Sequence, residues 1–379
     1  MNRSIAAILA LAGACTLTYA QPYLMYVDSN FDEVVLIEAS TGDVTGLAFI
    51  GDANDPLTWN FQTPKEAIQV GNEVWVTDQL SDAIYRFTAT QPADFIGAIT
   101  GGLDNIRGLG LVGNRVYVSN AGTGNGAPGD AIVVYETDGT FVSSFVVNNP
   151  STGLPVDPFD VEDFNGRLLI TDIEGEDLVV SDVDGSNPSV LVNGNLNFME
   201  FPQQVRVDTT GPNGEQEIWV NAFSSPAGVY RFSTAGAQLG YFPVTTGGRG
   251  VWPLPRDITG AFDVLFTDGV ASVGGLRKFT PGSGTTSTIL ASAGGQYVGS
   301  VTLASGPVCN DIDVNNDGSS FDPTDIDAFL SVFSEGPCLP ETATCDSIDF
   351  NNDGGLFDPC DIDSFLLVFS EGPCTLCGV

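Results

Sequence analysis

The chain predicts an all-β fold, a six-bladed β-propeller over residues 21–306, followed by a small α-helical module over 307–379. Three observations carry this. A strand unit returns every 40 to 50 residues, a strand-like segment lies orphaned at its far end, and the tail repeats itself almost verbatim.

Residues 1–20 read as a leader rather than as fold. Arg3 supplies a positive start, Ile5 to Leu17 an apolar run, and the small residues around Ala20 a cleavage point before Gln21. That run is too short to span a bilayer, and no later one reaches the roughly 20 apolar residues required, so no transmembrane segment is expected. The expected product is exported, to the medium, the cell surface or the periplasm. A second reading makes Cys15 a lipid anchor, since Ala-Gly-Ala-Cys distantly follows a lipoprotein box, with Ala12 where Leu is usual.

Residues 22–306 alternate short apolar segments with Gly, Asn, Asp and Pro turns, and lack helical period. One element reads LMYVDS, VWVTDQ, VYVSNA, LLITDI, IWVNAF and VLFTDG. It closes at Asp28, Asp78, Asn120, Asp172, Asn221 and Asp268, at intervals of 50, 42, 52, 49 and 47 residues. A second strand follows each, as in DAIYRFTAT, and then a third, as in TFVSSFVV. A further strand precedes it: PKEAIQVGNEVWVTD, IRGLGLVGNRVYVSN and PFDVEDFNGRLLITD align over 15 residues without gaps. The first unit lacks that preceding strand, and QYVGSVTLASG (296–306) is its expected partner, closing a ring of six. These strand ends and the DAIYRF-like strands resemble the NHL-type and YncE-like propeller families, which implies the fold more firmly than an activity.

The recurring Asp and Asn residues have two readings. As short acceptors they satisfy backbone N–H groups in turns; as a ring on one face they would hold a metal or a sugar. The strand starts on that face carry Lys65, Glu66, Arg107, Asp157, Gln203 and Arg249, a mouth of mixed charge suited to a carbohydrate or another small polar ligand.

In the tail, CNDIDVNNDGSSFDPTDIDAFLSVFSEGPC (309–338) returns 36 residues later as CDSIDFNNDGGLFDPCDIDSFLLVFSEGPC (345–374), identical at 22 of 30 positions. What recurs is Asp-x-Asn-x-Asp-Gly, then a carboxylate and an amphipathic helix. Alternating oxygen ligands converge on one point, and glycine allows the sharp turn after the third. The expected calcium ligands are Asp313, Asn315, Asp317, the Ser319 carbonyl and Asp325, then Asp349, Asn351, Asp353, the Gly355 carbonyl and Asp361, for two Ca2+ ions. Gly318 and Gly354 make the turns. Magnesium would demand tighter octahedral geometry, and the cysteines that a softer metal would need lie outside the Asp/Asn loops. Each loop leads into a helix: Asp322 and Asp358 as caps, Pro323 and Pro359 at the first position, and apolar stripes Ile326, Phe329, Leu330, Phe333 and Ile362, Phe365, Leu366, Phe369.

This loop-plus-helix pair resembles the dockerin module, whose two calcium repeats dock onto cohesin modules. That resemblance implies calcium binding and an extracellular or cell-surface protein partner. The chain departs from the pattern in three ways: the closing Asp stands at loop position 13 instead of 12, the spacing is longer, and cysteines bracket each repeat. Pro323-Thr324 and Pro359-Cys360 stand where dockerins carry small hydroxylated recognition residues, which leaves a cohesin partner in question.

Six cysteines remain after the leader, and an even number in an exported segment reads as disulfides. Repeat symmetry favours Cys309–Cys338 and Cys345–Cys374, leaving Cys360 with Cys377, among about 15 combinatorial pairings. Cys374-Thr-Leu-Cys377 also has redox spacing, without a βαβ pattern around it.

The formal charge is −36, with 48 acidic residues, 12 basic ones and no histidine. Such a surface repels nucleic acid, and the missing imidazole removes Ser-His-Asp triads and His-ligated metals. From 307 onward there is no Lys or Arg at all. The function expected is a non-enzymatic exported calcium-binding protein, with the propeller for recognition and the tail for attachment. Two alternatives are a propeller enzyme of the metal-dependent sugar lactonase type and a component of extracellular polysaccharide degradation. The first needs inward Glu, Asp and Asn around a central cation, the second a pair of carboxylates.

Overall fold

The computed structural model describes residues 22–51, 59–208, 211, 214–224, 226–244, 247–257, 259–269, 274–303, 312–315, 323–334, 336–337, 350 and 359–369. Pro22–Ala304 forms one compact unit, and the segment from Ser305 belongs to another.

The first unit is a six-bladed propeller of six four-stranded antiparallel sheets. The innermost strands are Pro64–Val70, Ile106–Val112, Pro158–Phe164, Pro202–Asp208, Gly248–Pro253 and Gly295–Thr302. Each lies beside the next around a closed ring. The last of them completes the first blade by pairing with Pro22–Asp28 in the register Tyr26↔Val298 and Tyr23↔Val301. The orphan segment therefore closes the circle as its sequence predicts, leaving the first blade's inner edge paired.

Both faces of a blade pack on neighbours, so second strands such as Glu73–Asp78 are buried at nearly every position, while an outer strand such as Phe95–Thr100 alternates. One apolar cluster fills each gap between blades. Trp75, Ile84, Ile106, Leu109 and Val118 fill the second gap, for example, and Leu24, Tyr26, Leu254, Leu265 and Val298 the gap across the closure.

The inner strands share one irregularity that shapes the channel. After its first residue each strand bulges against its partner, as between Pro64 and Ala67 or Pro158 and Val161. The second and third residues of every inner strand thus form two stacked rings: Lys65, Arg107, Phe159, Gln203, Arg249, Gln296, and beneath them Glu66, Gly108, Asp160, Gln204, Gly250, Tyr297.

The recurring Asp and Asn residues do turn and junction work. Asp78 Oδ1 accepts from Leu80 N (3.1 Å) and Ser81 N (2.9 Å), while its Oδ2 accepts from Gln62 N (2.6 Å) and Thr63 N (2.9 Å). Asp28, Asn120 and Asp172 likewise accept backbone N–H groups. In the fifth blade the reading from sequence is one residue early. Pro202 pairs with Ala222 as Pro64 pairs with Asp78, so Ala222 holds the closing position. Asn221 instead occupies the place of Thr77, Ser119, Thr171 and Thr267. There a hydroxyl accepts the N–H of its own inner strand and reaches the next blade, as Thr77 Oγ1 donates to Arg107 O at 2.6 Å and Ser119 Oγ to Phe159 O at 2.9 Å. Asn221 Nδ2 makes the same crossing to Gly250 O at 2.8 Å. Thr and Asn can both bridge blades, and that shared chemistry masked the register.

In the second unit, helices Pro323–Phe333 and Pro359–Phe369 are described. Phe329 and Phe365 stack at 4.2 Å, with Ile312, Val314, Ala328 and Phe350 completing a small core. Leu330 and Leu366, counted in the apolar stripes, stay about half exposed. No described helix is long and apolar enough to cross a membrane.

Candidate functional site at the propeller mouth

The inner-strand starts and second-strand ends meet on one face, where the upper ring forms the mouth of the channel. Around it run Arg249, Gln296, Lys65 and Arg107 on one side and Phe159 and Gln203 on the other. Lys65 Nζ donates to Gln296 Oε1 at 3.1 Å and lies 5.9 Å from the Phe159 ring centroid. Arg107 stacks on the same ring at 4.5 Å and bonds Asp157 Oδ1 at 2.9 Å. Arg249 lies over Phe223 at 5.7 Å. Phe159, Phe201 and Phe223 form a continuous arc, with centroids 5.9 and 5.8 Å apart.

Burial first, then the charges of Arg249 and Arg107, pull the Lys65 ammonium down to about 7. Burial also lowers the Arg249 guanidinium. Within the rings, Gln203 Nε2 and the Tyr297 hydroxyl are buried without a hydrogen-bond partner among the described residues.

The lower ring is a set of clasps. In four of the six inner strands the N–H of the fourth residue, just past the bulge, is accepted by a side chain of another blade. Glu66 Oε2 takes Leu109 N at 2.6 Å, Asp160 Oδ2 takes Val205 N at 2.8 Å, and Gln204 Oε1 takes Val251 N at 2.9 Å and Val298 N at 3.1 Å. The glycines of this ring make room for it. A Cβ on Gly108 would lie 2.4 Å from Asp160 Oδ1, and one on Gly250 would lie 2.5 Å from Gln296 O. Below, Arg206 binds Glu162 Oε2 at 2.7 Å and Val298 O at 3.2 Å and stacks on Trp252 at 4.5 Å. One buried guanidinium faces Glu66, Asp160 and Glu162, and burial raises all three carboxyls, Glu66 to about 7 and Asp160 well above its usual range.

Of the six mouth residues read from sequence, Lys65, Arg107, Asp157, Gln203 and Arg249 come together. Glu66 lies one ring deeper, fully buried, because the bulge turns successive residues to successive levels. Sequence reading missed Phe159, Gln296 and Tyr297, which alignment of all six inner-strand starts would have placed.

A cavity of about 570 Å³ opens near the opposite strand ends, between Tyr23, Leu24, Asp208, Trp252, Pro253 and Arg256.

In the tail, Asp313, Asn315, Asp325 and Asp361 are described. Asp317, Ser319, Asp349, Asn351, Asp353 and Gly355 lie outside the described residues, as do Cys309, Cys338, Cys345, Cys374, Cys377 and the Cys360 side chain. Asp325 and Asp361 are fully buried, and Asp361 Oδ1 accepts from Phe350 N at 2.8 Å. Asn315 Nδ2 donates to Thr324 Oγ1 at 3.0 Å. Asp325 and Asp361 are both carboxylates buried in a segment whose sequence holds no Lys or Arg. Among the described residues no three acidic or thiol side chains converge on one point.

No family model matches the chain. No curated protein matches it either. Solved structures do. The nidogen/laminin complex aligns at TM-score 0.52 and 15% identity over 74% of this chain and 98% of that one. A candidate 6-phosphogluconolactonase from Bacteroides uniformis aligns at TM-score 0.50 and 12% identity over 74% and 100%. The dihydro-heme d1 dehydrogenase NirN aligns at TM-score 0.43 and 13% identity over 70% of this chain and 53% of that one, so the chain spans about half of that enzyme. At these identities the likeness is one of fold, the β-propeller.

Proposed function

We propose that the protein is an exported binding protein, its propeller a recognition platform and its tail a calcium-dependent docking or surface-attachment module. The observation that carries this is the division of labour between the two rings. The inward carboxylates Glu66 and Asp160 clasp backbone N–H groups of other blades, while the mouth above them keeps uncommitted donors beside an aromatic arc. A ring built this way holds a ligand without presenting an accessible acid–base pair. For the tail, the duplicated Asp-x-Asn-x-Asp-Gly loops and the buried Asp325 and Asp361 support two calcium ions. The loop oxygens would hold them, and calcium would supply charge balance and order to a module with little core.

Calorimetric titration of the calcium-stripped full chain is expected to give two ions per chain with a gain of helix. Chelation should release the protein from its attachment surface while the propeller stays folded. A titration without binding would end the calcium reading, and attachment that persists in chelator would end the docking role.

The sugar-lactonase alternative requires inward carboxylates that close on a central cation. Glu66 and Asp160 are engaged by Leu109 N and Val205 N instead, and the mouth is basic, which weighs against that fit. Calcium-dependent opening of gluconolactone by the purified chain, lost in Glu66→Gln, would restore it.

A further inference from the structure

We propose that the propeller mouth binds a small organic oxyanion, its carboxylate- or sulfate-type head held by Lys65 and Arg249 and its compact body lying on the Phe201–Phe223 side. This deepens the recognition reading above and rests on it.

Positive charge is scarce in a chain of net charge −36. With carboxylates in such excess, every described basic residue but two lies within ion-pair distance of one: Arg86, Arg107, Arg115, Arg167, Arg206, Arg231, Arg256, Arg277 and Lys278. The exceptions are Lys65 and Arg249. Both stand at the mouth, on inner strands separated by that of Gln296. Lys65 is nearly fully buried, and among the described residues its amine bonds the Gln296 amide oxygen and lies by the Phe159 face, with Asp78 acting on it from beyond ion-pair distance. Arg249 has the Phe223 ring and no hydrogen bond or ion pair among the described residues.

Holding a buried Lys65 ammonium beside the half-buried Arg249 guanidinium, with Arg107 nearby, is unfavourable, and an anion completing the site would relieve it. The depressed Lys65 ammonium reflects that cost. Three more donors in the same rings lack acceptors among the described residues, Arg107 Nε, Gln203 Nε2 and the Tyr297 hydroxyl, and Tyr297 packs against Phe159 at 6.2 Å. Among the described residues of the two rings the spare groups are donors, which suits an oxyanion site.

The other half of the ring sets the shape of the guest. Phe159 already carries Arg107, while Phe201 is partly exposed and Phe223 is 36% exposed at the rim. A planar or sugar-like body fits against that rim. The acidic surface outside repels polyanions, so a compact guest is selected.

The test is isothermal titration of the full calcium-loaded chain with four probes: D-galacturonate, benzoate, sulfate and neutral D-galactose. At least one of the two organic anions should bind one per chain, more tightly than sulfate, with galactose silent. Arg249→Gln and Lys65→Met should each weaken that binding at least tenfold, with thermal unfolding monitored to confirm that both variants fold. Affinity should also fall as pH rises above about 7, because Lys65 then loses a proton held weakly by burial and by the charges of Arg249 and Arg107, with only Asp78 and the Gln296 amide oxygen acting to retain it. Absence of binding by all three anions, or wild-type affinity in both folded variants, overturns the proposal. Galactose bound as well as galacturonate also overturns it while leaving the recognition platform standing, and calcium stoichiometry at the tail is read separately.

Discussion

Lys65 and Glu66 are adjacent in one strand, yet the rings they belong to treat charge in opposite ways. The lower ring takes carboxylates and an amide that would be costly in a dry channel and satisfies them with N–H groups freed by the bulges. The upper ring keeps basic groups one level higher, Lys65 buried and Arg249 half-buried, and leaves both without a carboxylate at ion-pair distance among the described residues. A buried polar group that is satisfied holds the fold together; one that is not is a cost, and its persistence points to a ligand. The difference teaches where stability ends and recognition begins, one residue apart.

That contrast can be broken in several ways. Gln204→Leu should hurt stability most, because it strands the buried N–H groups of Val251 and Val298, each worth about 1–3 kcal/mol. Urea unfolding in calcium should show a loss of about 3–5 kcal/mol, and a loss below about 1 kcal/mol would mean the clasp is ornamental. Gly108→Ala comes next, since its Cβ would press on Asp160 from 2.4 Å, and a loss of about 1–3 kcal/mol is expected on the same assay.

A pH series sharpens the lower ring. Glu66 faces Asp160, Gln204, Glu162 and Arg206, and its folded carboxyl is raised from 4.5 to about 7, chiefly by burial. Stability that depends on its proton is therefore fully present below about 4.5 and lost as pH rises through about 7. The wild-type urea midpoint should fall between pH 5 and 8, and Glu66→Gln should flatten that slope; an unchanged slope would assign the effect elsewhere. The smallest stability effect belongs to the mouth. Arg249→Gln should shift unfolding by less than about 1 kcal/mol, or stabilise slightly, since it relieves a charge without a carboxylate partner. A loss as large as that of Gln204→Leu would erase the distinction between the rings.

The propeller could be read from the chain because its causes are local. Valine, isoleucine and aromatic alternation and glycine turns recur in each blade and a closing Asp or Asn in five of the six, so the period, the count of six and closure of the ring by the strand Gly295–Thr302 followed from pattern. Asn221 shows the limit: at one position a turn residue and a blade bridge use the same side-chain chemistry, and only pairing with Gly250 and the Pro202↔Ala222 register separate them.

The blades, the excess of acid, the absence of histidine and the duplicated oxygen-rich loops are written in residue type and spacing. Which charges are engaged follows from the folded ring. Glu66 meets Leu109 and Gln204 across blades that are 43 and 138 residues away, and Lys65 meets Gln296 across 231. Ion pairing and burial depend on distances that the folded ring creates, so the same carboxylate or amine reads identically in the chain whether it ends as a clasp or as a free hand at the mouth.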